Sequence, residues 1–244
     1  MLKFAKSLLK SVLDKRGTAT YNKASFGHEA LHDIEKIAAS YGLEVKTILD
    51  VGAHFGGSAE NFRDRFPAAT IHCFEPNPTS FEKLKLKFSA DQNIKPHQIA
   101  LSNEQGTLPF YVYENACINS LVPNAPFAES YNEVADKIDV EVTTTDSFLA
   151  SQGISRVNFM KIDTEGREPE VLLGAIEALK KHAIDFLYLE FNSIFSEEKS
   201  SPLVKIASIL EPLGYRFIAT YNDYCTFDDQ HFNVSNVLYV RKIT

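Results

Sequence analysis

Four acids, Asp50, Glu75, Asp163 and Glu190, each stand where a short apolar run of the chain ends. Such runs read as buried strands of a parallel sheet. In open α/β sheets, ligands bind outside the carboxyl ends of the strands. Four acids around one rim can hold a cation-bearing cofactor and still leave one for chemistry or for a metal. The first acid opens a glycine-rich loop, Asp50-Val-Gly-Ala-His-Phe-Gly-Gly-Ser58, and an amphipathic helix starts at about Ser58. Glycines there let the backbone turn sharply and let a ligand come close. The helix start adds unpaired N–H groups and the positive end of a dipole. Glu75 ends the next strand, 19 residues after Gly56. An acid at that offset suits the two hydroxyls of a ribose.

The spacing of Gly52, Gly56 and Gly57 is G-x-x-x-G-G, which departs from the G-x-G-x-x-G of dinucleotide binders, and the loop has no P-loop lysine. Asp50, just before the first glycine, disfavours a pyrophosphate and favours a cation. S-adenosylmethionine (SAM) carries an ammonium, a sulfonium and a ribose, so acids on adjacent strand tips suit it better than they suit NAD. Each acid has a plainer reading as a cap for the following helix. For Glu190 the two readings stay open. Asp163-Thr-Glu-Gly166 puts two acids and a glycine in one turn, which favours chemistry.

The elements that must position these residues alternate as strand and helix from residue 47. Helices are expected over 1–16 and over 28–41, the latter ended by Gly42. Strands are expected over 47–51, 70–74, 97–101, 107–112, 140–144, 157–162, 186–189, 215–219 and 237–240. Helices are expected over 58–66, after Asn77, over 168–180 and over 203–210. Asp146 could cap a short helix ending at Ser151. The last two strands have no helix between them, so they could be antiparallel. Residues 114–136, with Pro123 and Pro126, read as a long functional loop. Domain boundaries are expected at a helical extension, 1–44, followed by one domain, 45–244.

At 244 residues the chain is long enough for one α/β domain with a real core. Its net charge of −7 argues against nucleic-acid binding, which needs a basic surface. Cys73, Cys117 and Cys225 show no metal spacing and suggest free thiols in a reducing, cytoplasmic setting, with Cys73 in the core. No run is long enough to span a bilayer. The basic, periodic segment at residues 1–16 reads as a helix packed on the domain or a partner; weak membrane-surface contact is the competing reading. Oligomeric state is not legible.

Five segments, in this order, resemble the FkbM family of SAM-dependent methyltransferases. They are Ile-Leu-Asp-Val-Gly-Ala-His-Phe-Gly (48–56), Phe-Glu-Pro-Asn-Pro (74–78), Ala-Leu-Ser (100–102), Asn-Ser-Leu (119–121) and Lys-Ile-Asp-Thr-Glu-Gly-Arg-Glu (161–168). The resemblance covers roughly residues 45–191. It implies a seven-stranded class I methyltransferase (Rossmann-like) α/β sheet in the order 3-2-1-4-5-7-6 with an antiparallel last strand. It also implies O-methylation of a hydroxyl on a sugar, glycan or polyketide-type molecule. His54 stands where the family usually has Asn; it is assigned as a cofactor contact, with a role as base left open.

On that reading Gly52, Ala53, Gly56 and Ser58 belong to the loop around the methionine end of SAM, and Asp50 acts through that loop or on the ammonium. Glu75, followed by Pro76, takes the ribose. Ala100, Leu101 and Ser102 flank the adenine. Asp163 sits by the transferring methyl as base or orienter, Lys161 pairs with it on one strand face, and Glu190 completes the catalytic set. Asp163, Glu190 and Asn192 could instead supply oxygen ligands to Mg²⁺, a reading ranked below the metal-free one. Asn119 and Ser120 are candidates to close over the adenine or the acceptor, with an ordinary turn as the plainer reading, and Phe191, Phe195, Tyr221 and Tyr224 either line an acceptor pocket or belong to the core.

Overall fold

The computed structural model describes residues 26–114, 116, 119–122, 134–194, 202–224 and 231–242. The expected helix over 1–16, most of the 114–136 loop, and Cys117, Cys225 and Phe195 lie outside them. In chain order the first elements are α1 (Ala30–Ser40), β1 (Thr47–Val51), α2 (Gly57–Arg65), β2 (Thr70–Phe74), α3 (Pro78–Lys87) and β3 (Ile94–His97). Next come β4 (Ala100–Leu101), β5 (Gly106–Tyr113), β6 (Val134–Thr143), α4 (Thr145–Gln152), β7 (Val157–Ile162), α5 (Glu168–Leu173) and α6 (Ile176–Lys180). The chain closes with β8 (Ile184–Ile194), α7 (Pro202–Leu210), β9 (Tyr215–Tyr224) and β10 (His231–Arg241).

Seven strands form one sheet in the order β3-β2-β1-β7-β8-β10-β9. β1, β2, β3, β7 and β8 run parallel, and β10 pairs antiparallel with both β8 and β9. Counting only these strands, the order is the 3-2-1-4-5-7-6 expected from the sequence. Each face of the sheet buries one apolar cluster. β1 and β7 are apolar almost throughout and buried, as strands covered on both faces must be. Cys73 is fully buried, as expected. No helix among the described residues is long and apolar enough to cross a membrane.

The amino ends of the central strands are fixed by a polar knot. Buried Asp185, in β8, accepts hydrogen bonds from Arg156, Arg241 and Asn158. The Asn158 side-chain oxygen Oδ1 accepts the amides of Lys46 and Thr47, at the entry to β1. Register is thereby set at one rim, and the opposite rim is left for other uses.

Several expectations are corrected. The strand expected over 97–101 is two: β3 stays in the central sheet, and β4 joins β5 and β6 in a separate three-stranded sheet. The helix expected over 168–180 is broken into α5 and α6. Gly174 lies at the break because a Cβ there would collide with the Ser102 carbonyl. Asp146 does not cap α4, whose cap is Thr144. Its carboxylate reaches across and caps α6, accepting from the amides of Glu177 and Ala178 at 2.9 Å each. Glu190 does not end its strand; β8 runs on to Ile194, with Glu190 opposite Asn236 of β10. These contacts join residues about 30 or more positions apart, so no local pattern shows them.

Candidate active site

At the carboxyl rim, the glycine loop is sewn to its neighbours by its own backbone. The amides of Gly52 and Ala53 both donate to the Phe74 carbonyl, at 3.1 and 3.0 Å. Gly52 has φ 80°, and a Cβ there would collide with the backbone carbonyl of Asp163. This glycine therefore serves the approach of two protein loops. We expect Gly52→Ala to cost about 1–3 kcal/mol through strain and overpacking, measurable by urea denaturation. Unchanged stability would show that the loops can part freely. Gly56 (φ 80°) is similarly a packing residue: a Cβ would strike Phe88 and Leu84.

A cavity of about 340 Å³ opens at this rim, lined by the loop, the ends of β2 and β7, β8 and the three-stranded sheet. Of the residues expected to serve a cofactor, Gly52, Ala53, His54, Ser58, Glu75, Pro76, Ala100, Leu101 and Asp163 line it, as do Lys161 and Glu190. Asp50, Gly56 and Ser102 are not on its wall. Asp50 is fully buried behind the rim, its carboxylate facing the Lys161 ammonium at 3.8 Å. The two residues are register partners on β1 and β7, which puts both side chains on one face. Ser102 is buried beneath Gly174.

Glu75 is buried at the cavity wall, and both its oxygens already accept backbone amides. The His54 amide donates at 2.8 Å and that of Asn77 at 2.9 Å. It thus ties the glycine loop to the turn before α3, whose cap is Asn77. Burial raises its pKa to about 7, against the pull of those two bonds. His54 holds a left-handed backbone (φ 48°) and stacks on Phe55. Its Nε2 is buried with no hydrogen-bond partner among the described residues. Burial, with Lys83, lowers its pKa, so the neutral ring is favoured.

The acids gather beside it. Carboxylate oxygens of Asp163, Glu165 and Glu190 lie within 4.8 Å of one another. Lys161 donates to Asp163 at 2.9 Å, as the strand-face argument expected. Burial pushes Asp163 up, but the Lys161 ammonium and hydrogen bonds from Glu190 and Lys161 hold it below the usual carboxylate range. Glu190 goes the other way: burial and the charges of Asp163 and Glu165 push it to about 11. Burial, then Asp163 and Glu168, likewise raise Glu165. The cluster thus separates one carboxylate that stays ionised from one that keeps its proton.

Glu165, Thr164, Arg167, Phe110, Ala116 and Leu121 also line the cavity and were not assigned to it from sequence. Asn119 lines it, and Ser120 sits just behind, donating to the Glu165 carbonyl at 2.9 Å. Arg167 donates to the Leu121 carbonyl. Phe191 and Tyr221 belong to the core, the latter donating its hydroxyl to Asp33 of α1. The side chains of Asn192 and Tyr224 lie outside the described residues; Glu165 stands with Asp163 and Glu190 in the cluster of carboxylates.

Strand order and a rim cavity walled by acids and a glycine loop define a methyltransferase-type α/β fold. The chain belongs to the FkbM methyltransferase domain family, whose model matches residues 50–217. It is 32% identical over 156 residues to methyltransferase sdnD of Sordaria araneosa, covering 53% of this chain and 60% of that one. It is 25% identical over 172 residues to 2-O-methyltransferase NoeI of Sinorhizobium fredii, covering 67% and 70%. It is also 25% identical over 164 residues to hexuronic acid methyltransferase AglP of Haloferax volcanii, covering 66% and 62%. The match therefore spans less than two thirds of the first and third of these relatives.

Proposed function

We propose that this protein transfers a methyl group from SAM to a hydroxyl of a sugar, a glycan or a polyketide-type molecule. One observation carries the reading: Glu75 and the acid cluster at Asp163 face a single cavity from the tips of the strands on either side of β1, beside the first turn of α2. That donor set fits SAM. Glu75 would take the ribose hydroxyls, and Gly57 and Ser58 at the start of α2 would face the methionine carboxylate. The acids suit a cation, and the volume suits a ligand of that size. Bound there, SAM would supply an electrophilic methyl on a positively charged sulfur. The chain's own part is alignment and exclusion of water. Ala100, Leu101 and Phe110 give the cavity an apolar wall, and Asp163 places a fixed negative charge at the rim. Relatives named for O-methylation and for a hexuronic acid support a hydroxylated acceptor.

We read the acid cluster without a divalent ion, because the Lys161 ammonium already stands against Asp163. Calorimetry should show SAM and S-adenosylhomocysteine binding in the micromolar range and no binding of NAD. Preference for NAD would replace this reading with an oxidoreductase. SAM binding without transfer to any acceptor would leave a binding module.

A further inference from the structure

Asp163 is the expected centre of the site, yet its carboxylate is occupied. It accepts from Lys161 at 2.9 Å and shares a hydrogen bond with Glu190. An ion-paired carboxylate is a poor acceptor for a further proton. Its neighbour Glu165 lines the same cavity and differs in two ways. No hydrogen bond reaches its carboxylate among the described residues, although that carboxylate lies within 4.8 Å of the other two. It also holds φ 54°, a left-handed conformation that a residue other than glycine adopts at a cost.

The surrounding structure enforces that conformation. The amides of Thr164 and Gly166, on either side, both donate to one oxygen of Glu168, at 2.9 and 3.2 Å. Ser120 holds the Glu165 carbonyl at 2.9 Å from the opposite wall. Glycine at position 165 would satisfy the same backbone with no strain, so the side chain itself accounts for the choice.

We propose that Glu165 is the catalytic proton acceptor, with its carboxylate at the point where the acceptor hydroxyl meets the transferring methyl. This rests on the SAM reading above. Burial, with Asp163 and Glu168, favours the neutral acid of Glu165 in the free protein. The positive sulfonium of bound SAM would favour its carboxylate, and as the hydroxyl oxygen forms its bond to the methyl carbon, its proton passes to a Glu165 oxygen. The electron pair of the breaking methyl–sulfur bond stays on sulfur, neutralising the sulfonium. The Glu165 carboxylic acid returns the proton to solvent once the methyl ether leaves. Asp163, held by Lys161, orients the site and keeps its own charge.

The test needs no acceptor. Sinefungin carries an ammonium-bearing carbon where SAM carries its methylated sulfur, and S-adenosylhomocysteine has only an uncharged thioether sulfur there. By calorimetry, the wild type should bind sinefungin more tightly than S-adenosylhomocysteine. Glu165→Gln should reduce that preference about tenfold, the loss of one charged hydrogen bond, and change S-adenosylhomocysteine affinity less than about threefold. Glu165→Gly gives a second reading of the ratio should the glutamine variant misfold, and relief of strain should raise the ligand-free melting temperature by about 2–4 °C. An unchanged preference in a folded variant that still binds S-adenosylhomocysteine overturns the proposal. No S-adenosylhomocysteine binding by the wild type overturns the SAM reading instead.

Discussion

Asp163→Asn is expected to lower kcat about 10²–10⁴-fold with an identified acceptor, the range for losing a group that aligns or polarises a proton transfer. SAM affinity should stay within a few-fold. The substitution keeps the shape of the side chain and its bond from Lys161 but removes the charge. Lys161 then faces buried Asp50 alone, at 3.8 Å, with no charged partner on the cavity side. A residue that only capped the next helix would tolerate the change, because Asn caps as well as Asp. Here the structure narrows the alternatives: α5 begins after Arg167, and Glu168 accepts the amides of the intervening turn. Full activity in Asp163→Asn would remove the residue from the mechanism. Chelation with EDTA is expected to leave the wild-type rate intact. Loss of activity restored by Mg²⁺ would instead make Asp163 and its neighbours metal ligands.

Glu75→Ala is expected to cost about 2–4 kcal/mol of SAM affinity if the ribose makes two hydrogen bonds to its carboxylate. It should also cost stability, a consequence the sequence did not suggest. Two buried amides, of His54 and Asn77, lose their acceptor, at about 1–3 kcal/mol for each left unpaired. Glu75→Gln separates the two effects, since it keeps an acceptor oxygen for one amide. With its pKa raised to about 7 by burial, Glu75 is part-protonated near neutrality in the free protein. The ionised form accepts the ribose hydroxyls better. Affinity should therefore strengthen as pH rises toward and through 7, with proton release on binding, and Glu75→Gln should flatten that dependence. Calorimetry in buffers of different ionisation enthalpy measures the proton count directly. Unchanged affinity in Glu75→Ala would leave Glu75 as a tie between loops.

Much of this fold was legible because it is built from local signals. Short apolar runs ending in acids gave the parallel strands, and the helix-free last pair agreed with the antiparallel β9 and β10. What escaped notice depends on distant chain segments. Gly174 reads as an ordinary helix interior until the Ser102 carbonyl lies against it. Asp146 reads as a cap for its own helix, yet serves one that starts thirty residues on. Gly52 reads as room for a ligand, whereas the room is taken by the Asp163 backbone. Within the candidate site, Glu165 was visible as part of an acid-rich turn, but a left-handed φ has no signature in an isolated glutamate. The occupied state of Asp163 was half legible: strand alternation paired it with Lys161, while Glu190 arrives from a strand that shares no local sequence with it.

The wall of the cavity formed by Ala100, Leu101, Phe110 and Leu121 comes from the β4-β5-β6 sheet and its adjoining turn, and the floor comes from β1, β2, β7 and β8. The two sheets share no ladder; Ser120 and Arg167 bridge them by side-chain bonds to backbone carbonyls. Substitutions in the smaller sheet therefore leave the register of the larger one untouched. On the function proposed above, Ala100 and Leu101 stay with the adenine, while the outer part of this wall at Phe110 and Leu121 can be reshaped toward a different acceptor without redesign of the core.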